Sequence, residues 1–400
     1  MSWEKTTVGE IVTTRKGYAF KSSKYVNKGV PVVRVSDYTM DSISDADLKY
    51  YPYDEKQNYI DYELHEKDVI VQTVGSWQNN PASVVGKVVR VPYFLEGALL
   101  NQNAVKIMPD EGIDNNFLFY RLKTEEFKGH VLGEARGAAN QASITLDTIK
   151  SFGFLIPDCL TQKKIGNILS KYDELIENNR KQIKLLEETA QRLYKEWFVD
   201  LRFPGYEDCK IVDGVPVEWK KKKLDEIADV IMGQSPKSEF YNKEHKGLPF
   251  HQGVGSYGAR FVQDDTYSTS FTKVAEANSI LFSVRAPVGR LNITKNKIVI
   301  GRGIAAINSK SGFQSYLFYA MKERFFKDDI LGNGAIFASI SKNELLNQVF
   351  VIPDEKIMSA YEKIAAALDK KIEVVDMQLQ QLVEARDRLL PKLMNGEIEV

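Results

Sequence analysis

"SISKNELLNQVFVIP", Ser339–Pro353, decides the fold because the chain carries it twice: Ser143–Pro157 reads "SITLDTIKSFGFLIP". The offset is 339 − 143 = 196, and the register runs on without a gap. It pairs Phe154 with Phe350, Pro157 with Pro353, Asp158 with Asp354, Asp173 with Asp369, Ile176 with Ile372, Leu186 with Leu382 and Arg192 with Arg388. Upstream the likeness continues across insertions: "WEKTTVGEI" from Trp3 resembles "WKKKKLDEI" from Trp219, and "LFYRLKTEEF" from Leu118 resembles "LFYAMKERFF" from Leu317. The rest of the two halves differs. The order is a variable globular unit, a constant helical unit, then both again. Such a period is far longer than that of solenoid repeats, which identifies a duplicated domain pair.

The constant unit follows each Ile-Pro. Ile165, Ile168, Tyr172, Ile176, Asn179, Ile183, Leu186, Ala190, Leu193 and Trp197 recur at spacings of three and four, with Lys, Glu, Gln and Arg between them. In the second copy the stripe is Tyr361, Ile364, Leu368, Ile372, Val375, Leu379, Leu382, Arg386, Leu389 and Leu393. That is the pattern of a coiled-coil seam, and each stripe finds its nearest self-complementary partner in the other copy. Pseudo-twofold symmetry lays the two helices antiparallel and puts the globular units at opposite ends. Asp158 and Asp354 suit the helix starts, where a carboxylate meets free N–H groups. Each helix would cover roughly 36 residues, or about 54 Å. That is long enough to hold the two globular units some tens of ångströms apart.

Within each variable unit, β-branched and aromatic runs alternate with turns. These are "VPVVRVS", "DVIVQTV", "VVGKVVRV" and "NAVKIM" in the first, and "NSILFSV", "VGRLNIT" and "IVIGRGIAAI" in the second. Helices are expected around Phe117–Phe127 and Ser315–Phe326. The fold class is α+β: two mixed α/β recognition domains separated by two long antiparallel coiled-coil helices, duplicated about a pseudo-twofold. The expected division is 1–157 and 219–353 for the globular domains, 158–200 and 354–400 for the helices, and 201–218 for a linker.

Composition sets bounds on function. Formal charge is zero, so no whole-molecule field draws in nucleic acid and any such contact is local. Trp219–Pro353 holds 19 Lys+Arg against 12 Asp+Glu, whereas Met1–Pro157 holds 18 against 20, so the second unit is the more basic. No run of apolar residues is long enough to span a bilayer and the start lacks a signal-peptide pattern, so a cytoplasmic location is expected. Two cysteines give neither a disulfide framework nor a zinc site, and the four histidines lack metal spacing. "GVGSYG" at Gly253 fits a dinucleotide fingerprint formally, but β-prone residues follow it where a helix is required. "NNPAS" at Asn79 lacks the aromatic that stacks a flipped base. The chain therefore reads as a binder and not an enzyme, with no cofactor or metal of its own.

Polar loops rich in Gly, Asn, Gln, Ser and Arg lie between the strands. Arg suits guanine and Asn or Gln suits adenine in the major groove. The candidate base-contacting residues are Trp77, Gln78, Asn79, Arg136, Asn140 and Gln141 in the first unit. In the second they are Ser256, Tyr257, Arg260, Arg285, Arg290 and Arg302. Lys220–Lys223 is either a phosphate contact or a solvated linker run.

The whole layout resembles the DNA specificity subunit of type I restriction-modification enzymes, most specifically in the twin "SI…IP" endings and the heptad helices after them. The resemblance implies that each recognition domain reads one half of a split, asymmetric site of double-stranded DNA, and that the helices set the unread spacer. It implies two methyltransferase subunits and two motor-nuclease subunits as partners, with S-adenosylmethionine, ATP and Mg on those partners. Where family helices open with Pro-Leu-Ala-Glu-Gln, "IPDCLTQKKI" keeps Gln162 and "IPDEKIMSAY" departs further. A rival reading from another class is a protein scaffold that contacts no DNA.

Overall fold

The computed structural model describes residues 3–39, 42–77, 83–138, 141–325 and 339–400. The chain folds as two compact units, residues 1–178 with 378–400, and residues 179–377. These units cut across the division expected at Pro157 and Pro353, because each takes a part of both long helices. The physical reason is that the helical stripes are buried on the globular units and do not stand apart from them. Ile165 and Leu169 share a core with Phe117, Phe154 and Leu393, while Tyr361 and Ala365 share one with Tyr316, Leu317 and Ala190.

The same antiparallel sheet is built in each unit. In the first its strand order is Val12–Lys16, Ala104–Pro109, Val69–Gln72, Val88–Arg90. In the second it is Ala228–Met232, Ile304–Ser309, Ile280–Ser283, Leu291–Ile293. All residues of Val69–Gln72 and Ile280–Ser283 are buried, which explains why these strands read as continuous runs without alternation. A second sheet also recurs around one parallel pair: Val30–Val33 beside Leu99–Leu100, and Leu248–His251 beside Ile298–Ile300.

Both expected flanking helices are present. The first is two helices, Asn115–Leu122 and Glu125–Glu134, because Thr124 stops one and caps the next, its Oγ1 accepting from the N–H of Phe127 at 3.3 Å. The second, among the described residues, is the helix Gln314–Phe325.

The repeated stretch that opened the reading supplies one strand of a two-stranded pair in each unit. Gly153–Ile156 pairs with Glu4–Thr7, and Val349–Ile352 pairs with Lys220–Lys223. The four lysines are thus a strand and not a linker. Lys223 turns its ammonium to Asn347 Oδ1 at 2.8 Å.

The long helices run Cys159–Phe198 and Glu355–Met394, 40 residues each, or about 60 Å. Asp158 accepts from the Thr161 N–H at 3.0 Å and Asp354 from the Ile357 N–H at 3.1 Å, which places both carboxylates at the helix starts as expected. The N–H of Thr161, with its hydroxyl, holds the Asp158 carboxyl below its usual value. Of the first stripe, Ile165, Ile176, Asn179, Ile183, Ala190 and Trp197 are buried, whereas Leu175 and Leu185, which lie off it, are exposed. Ile364 departs from the second stripe: it is exposed, and its neighbour Ala365 takes the buried position. In the second unit the helices run antiparallel. Tyr361 donates its hydroxyl to the Ala190 carbonyl at 3.2 Å, while Glu187 and Asp369 meet on one guanidinium.

Candidate nucleic-acid interface

In the first unit a small sheet collects the candidate loops. Gln141–Ser143 lies between Arg136–Ala138 and Val74–Gly75. Its glycines are dictated by space: a Cβ at Gly75 would sit 2.3 Å from the Ser83 carbonyl, and one at Gly137 would sit 2.0 Å from the Gln141 carbonyl. Trp77 is half-buried, and its indole N–H donates to the Ala138 carbonyl at 2.8 Å. It therefore ties the loop after Gly75 to the hairpin. Gln72, fully buried below, holds the same loop by donating to the carbonyls of Val74 at 2.8 Å and Ser83 at 3.1 Å. The structure thus brings Trp77, Arg136 and Gln141 together, with the Arg136 and Gln141 side chains exposed. Gln78, Asn79 and Asn140 lie outside the described residues.

In the second unit the strand Ile280–Ser283 leads into a tight loop, "VRAPVGR". Buried Ser283 braces it, its hydroxyl donating to the Pro287 carbonyl at 2.6 Å and accepting from the Arg290 N–H at 2.8 Å. Arg285 and Arg290 project from this loop with exposed side chains. The backbone of Arg285 bridges Ser339, and Ile340 donates to the Val284 carbonyl at 2.9 Å, just as Ile144 donates to Thr73 at 2.9 Å in the first unit. Arg302 is exposed on a turn whose flanking glycines donate to the carbonyls of His251 (2.8 Å) and Gln252 (3.1 Å).

Three candidates of the second unit have other duties. Arg260 is 3% exposed, lies 3.9 Å over the Phe318 ring, and pairs with Asp369 at 2.5 Å and Glu187 at 3.5 Å. Burial opposes its charge, but Asp369, Tyr319 and Glu187 outweigh that and raise its pKa. A guanidinium so enclosed does not reach a base, so the expectation for Arg260 is corrected: it anchors the domain. Tyr257 packs against the cluster of Leu281, Ile298 and Ile304, and burial pushes its hydroxyl far above the usual value. It is a half-buried residue packed on the core. Ser256 is engaged inside its loop, with its Oγ 2.8 Å from His251 Nδ1, whose Nε2 lies 2.9 Å from Asp264.

Sequence reasoning missed the counterpart of Arg260 in the first unit. Arg90 lies 4.2 Å over the Phe119 ring and reaches Tyr120 Oη at 3.3 Å and Asp173 at 3.4 Å. The signal was available: Asp173 and Asp369 match in the repeat, as do Phe119-Tyr120 and Phe318-Tyr319.

Residues 1–188 and 216–385 both match the family model described as the type I restriction modification DNA specificity domain. The chain belongs to this family. Among type I specificity subunits it is 30% identical over 405 residues to that designated MjaX of Methanocaldococcus jannaschii, covering 100% of this chain and 94% of the relative. It is 25% identical over 377 residues to the HindI specificity subunit of Haemophilus influenzae, covering 75% of this chain and 80% of the other. The crystal structure of the S subunit from M. genitalium shares the fold, with a TM-score of 0.62 at 17% identity over 98% of this chain and 96% of that one. Among the described residues no helix is long and apolar enough to cross a membrane.

Proposed function

We propose that this specificity subunit reads a bipartite, asymmetric DNA site, one half with each unit, and directs adenine methylation and restriction carried out by partner subunits. The observation that carries this reading is the exposure of arginine and amide side chains on loops braced against a buried sheet: Arg136 and Gln141 in one unit, and Arg285, Arg290 and Arg302 in the other. Arg-guanine and Gln-adenine pairs in the major groove are bidentate and each worth about 1–3 kcal/mol of discrimination. Because the two loop sets differ, the two half-sites differ.

Catalysis belongs to the partners in this reading. Methyltransferase and motor-nuclease subunits, two of each, bring S-adenosylmethionine, ATP and Mg, and the chain itself binds none of them. The site of action is the cytoplasm, where the DNA is.

Co-expression with the methyltransferase subunit, followed by mapping of methylated adenines on a random-sequence library, tests the proposal. The expected result is one split motif with a fixed spacer. Binding that is flat across sequences and insensitive to salt would support the scaffold instead, since phosphate contacts give a steep dependence of affinity on salt.

A further inference from the structure

The two units share an ion-paired cluster for which the duplication supplies the aspartate and the aromatic pair but not the arginine. In the first, Tyr120 donates to Asp173 at 2.6 Å, Arg90 lies over the Phe119 ring and reaches the same carboxylate at 3.4 Å, and Arg386 of the second long helix pairs with its other oxygen at 2.8 Å. In the second, Tyr319 donates to Asp369 at 2.8 Å, and Arg260 lies over Phe318 and meets that carboxylate at 2.5 Å. The aspartates and the aromatic pairs correspond in the repeat, but the arginines do not. Arg90 ends a strand at the position paired with Val69; the matching position of the second unit, paired with Ile280, is Ile293. The Ile293 N–H donates to the Arg260 carbonyl at 3.0 Å, so a different segment delivers its guanidinium to the place Arg90 occupies in the first unit. The same contact is thus made from two different places in the sequence.

Packing alone does not call for this. Well-packed apolar residues commonly match or exceed a buried ion pair in stability. What a charged pair with a phenol donor adds is direction. Each reading domain joins its helix at the Ile-Pro, and the aspartate lies 173 − 157 = 16 and 369 − 353 = 16 residues further on, about 24 Å along the axis. Hydrogen bonds near the helix start, from the Asp114 N–H to Gln162 and from the Ser315 and Tyr316 N–H groups to Glu362, pin one point of each domain, and the apolar contact of Ile165, Ile168 and Leu169 beside it is non-directional. A hydrogen-bonded carboxylate one turn beyond it fixes the tilt.

We propose that Asp173 and Asp369, each with its tyrosine and arginine, are positioning residues for DNA reading: they fix each domain's tilt on its helix and so make the spacer length exact. This rests on the DNA-reading function proposed above. The clamp touches no base, so it acts through the loops that do.

The test uses the full chain assembled with its methyltransferase subunits, and duplexes carrying the motif mapped for the unaltered protein with the spacer native, one base pair shorter, or one longer. Asp173→Asn and Asp369→Asn should keep the base preferences of both half-sites. Their methylation ratio of native to altered spacer should fall at least fivefold. Tyr120→Phe and Tyr319→Phe remove a single hydroxyl each, serve where the Asn variants fold poorly, and should move the ratio the same way. A spacer ratio unchanged in the Phe variants, even with lowered thermal stability, overturns the proposal, because the clamp is then only structural. Failure of the unaltered protein to yield a motif would instead overturn the DNA-reading function, a separate outcome.

Discussion

Gly166 lies against Asp114: a Cβ added to Gly166 would sit 2.6 Å from the Asp114 carboxylate oxygen and 3.0 Å from the Phe117 nitrogen. Asp114 caps the helix Asn115–Leu122 by accepting from that same Phe117 N–H at 2.8 Å. Position 166 corresponds through the offset of 196 to Glu362, whose carboxylate accepts from the N–H groups of Ser315 at 3.0 Å and Tyr316 at 2.8 Å. The same helix start is therefore capped by a local aspartate in one unit and by the long helix in the other, and the glycine is what makes room for the aspartate. Gly166→Ala should cost about 1–3 kcal/mol by overpacking, partly at the expense of the cap. Thermal unfolding checks it: a melting temperature lowered by several degrees is expected, and no change would mean that the cap tolerates the methyl group.

Glu362 carries a pH dependence of known sign. Burial raises its carboxyl above the ordinary value, and the N–H groups of Tyr316 and Ser315 offset this only in part. The folded state thus holds the proton more tightly than the unfolded one. Its contribution to stability is fully present below the ordinary carboxylate pKa and is lost as pH rises through the raised one. Glu362→Gln removes that titration and keeps an acceptor. Melting curves between about pH 4 and pH 8 should show the unaltered protein losing ground against the Gln variant as pH rises. A difference independent of pH would contradict the assignment. Glu362→Ala, with no acceptor for either N–H, should be less stable than Glu362→Gln by about 1–2 kcal/mol at every pH.

Arg260 and Arg285 separate anchoring from reading. Arg260→Ala leaves Asp369 and Glu187 without their shared guanidinium, a loss of about 3–5 kcal/mol for a broken buried pair. Exposed Arg285, replaced by Ala, should change stability by no more than about 0.5 kcal/mol. It should instead relax one position of one half-site by about 1–3 kcal/mol. Calorimetry and methylation mapping on the two variants together decide it. Equal melting temperatures for both would return Arg260 to the list of surface residues.

The duplication, the strand runs and both helix starts were legible because periodicity and register are properties of order along the chain. Exposure at the loops was harder. Arg260 and Arg285 sit in similar glycine-containing stretches, "GSYGAR" and "VRAPVGR", and nothing local says that one guanidinium turns inward. The partners that turn it, Asp369 and Tyr319, lie 109 and 59 residues away. The four lysines, open in the sequence between a phosphate contact and a solvated linker run, form a strand that local sequence did not signal, for a related reason. Its pairing with Val349–Ile352 is a contact across the whole unit, and a run of four lysines carries no period of its own.

Trp77 offers the most selective test of the first reading surface. Its indole N–H to the Ala138 carbonyl joins the Gly75 loop to the hairpin that presents Arg136 and Gln141. Phenylalanine keeps an aromatic ring against the core and removes the donor, at a cost of about 0.5–1.5 kcal/mol for one hydrogen bond. The carbonyl left behind is on an exposed residue and can turn to water, so the unit should stay folded. What should suffer is the placement of the hairpin. Trp77→Phe is expected to weaken discrimination at the half-site read by the first unit and to leave the other half-site as it was. Methylation mapping with each half-site randomised in turn measures both effects in one experiment. Loss at both half-sites would show that the indole supports the subunit generally, and loss at neither would show that the hairpin holds its position without it.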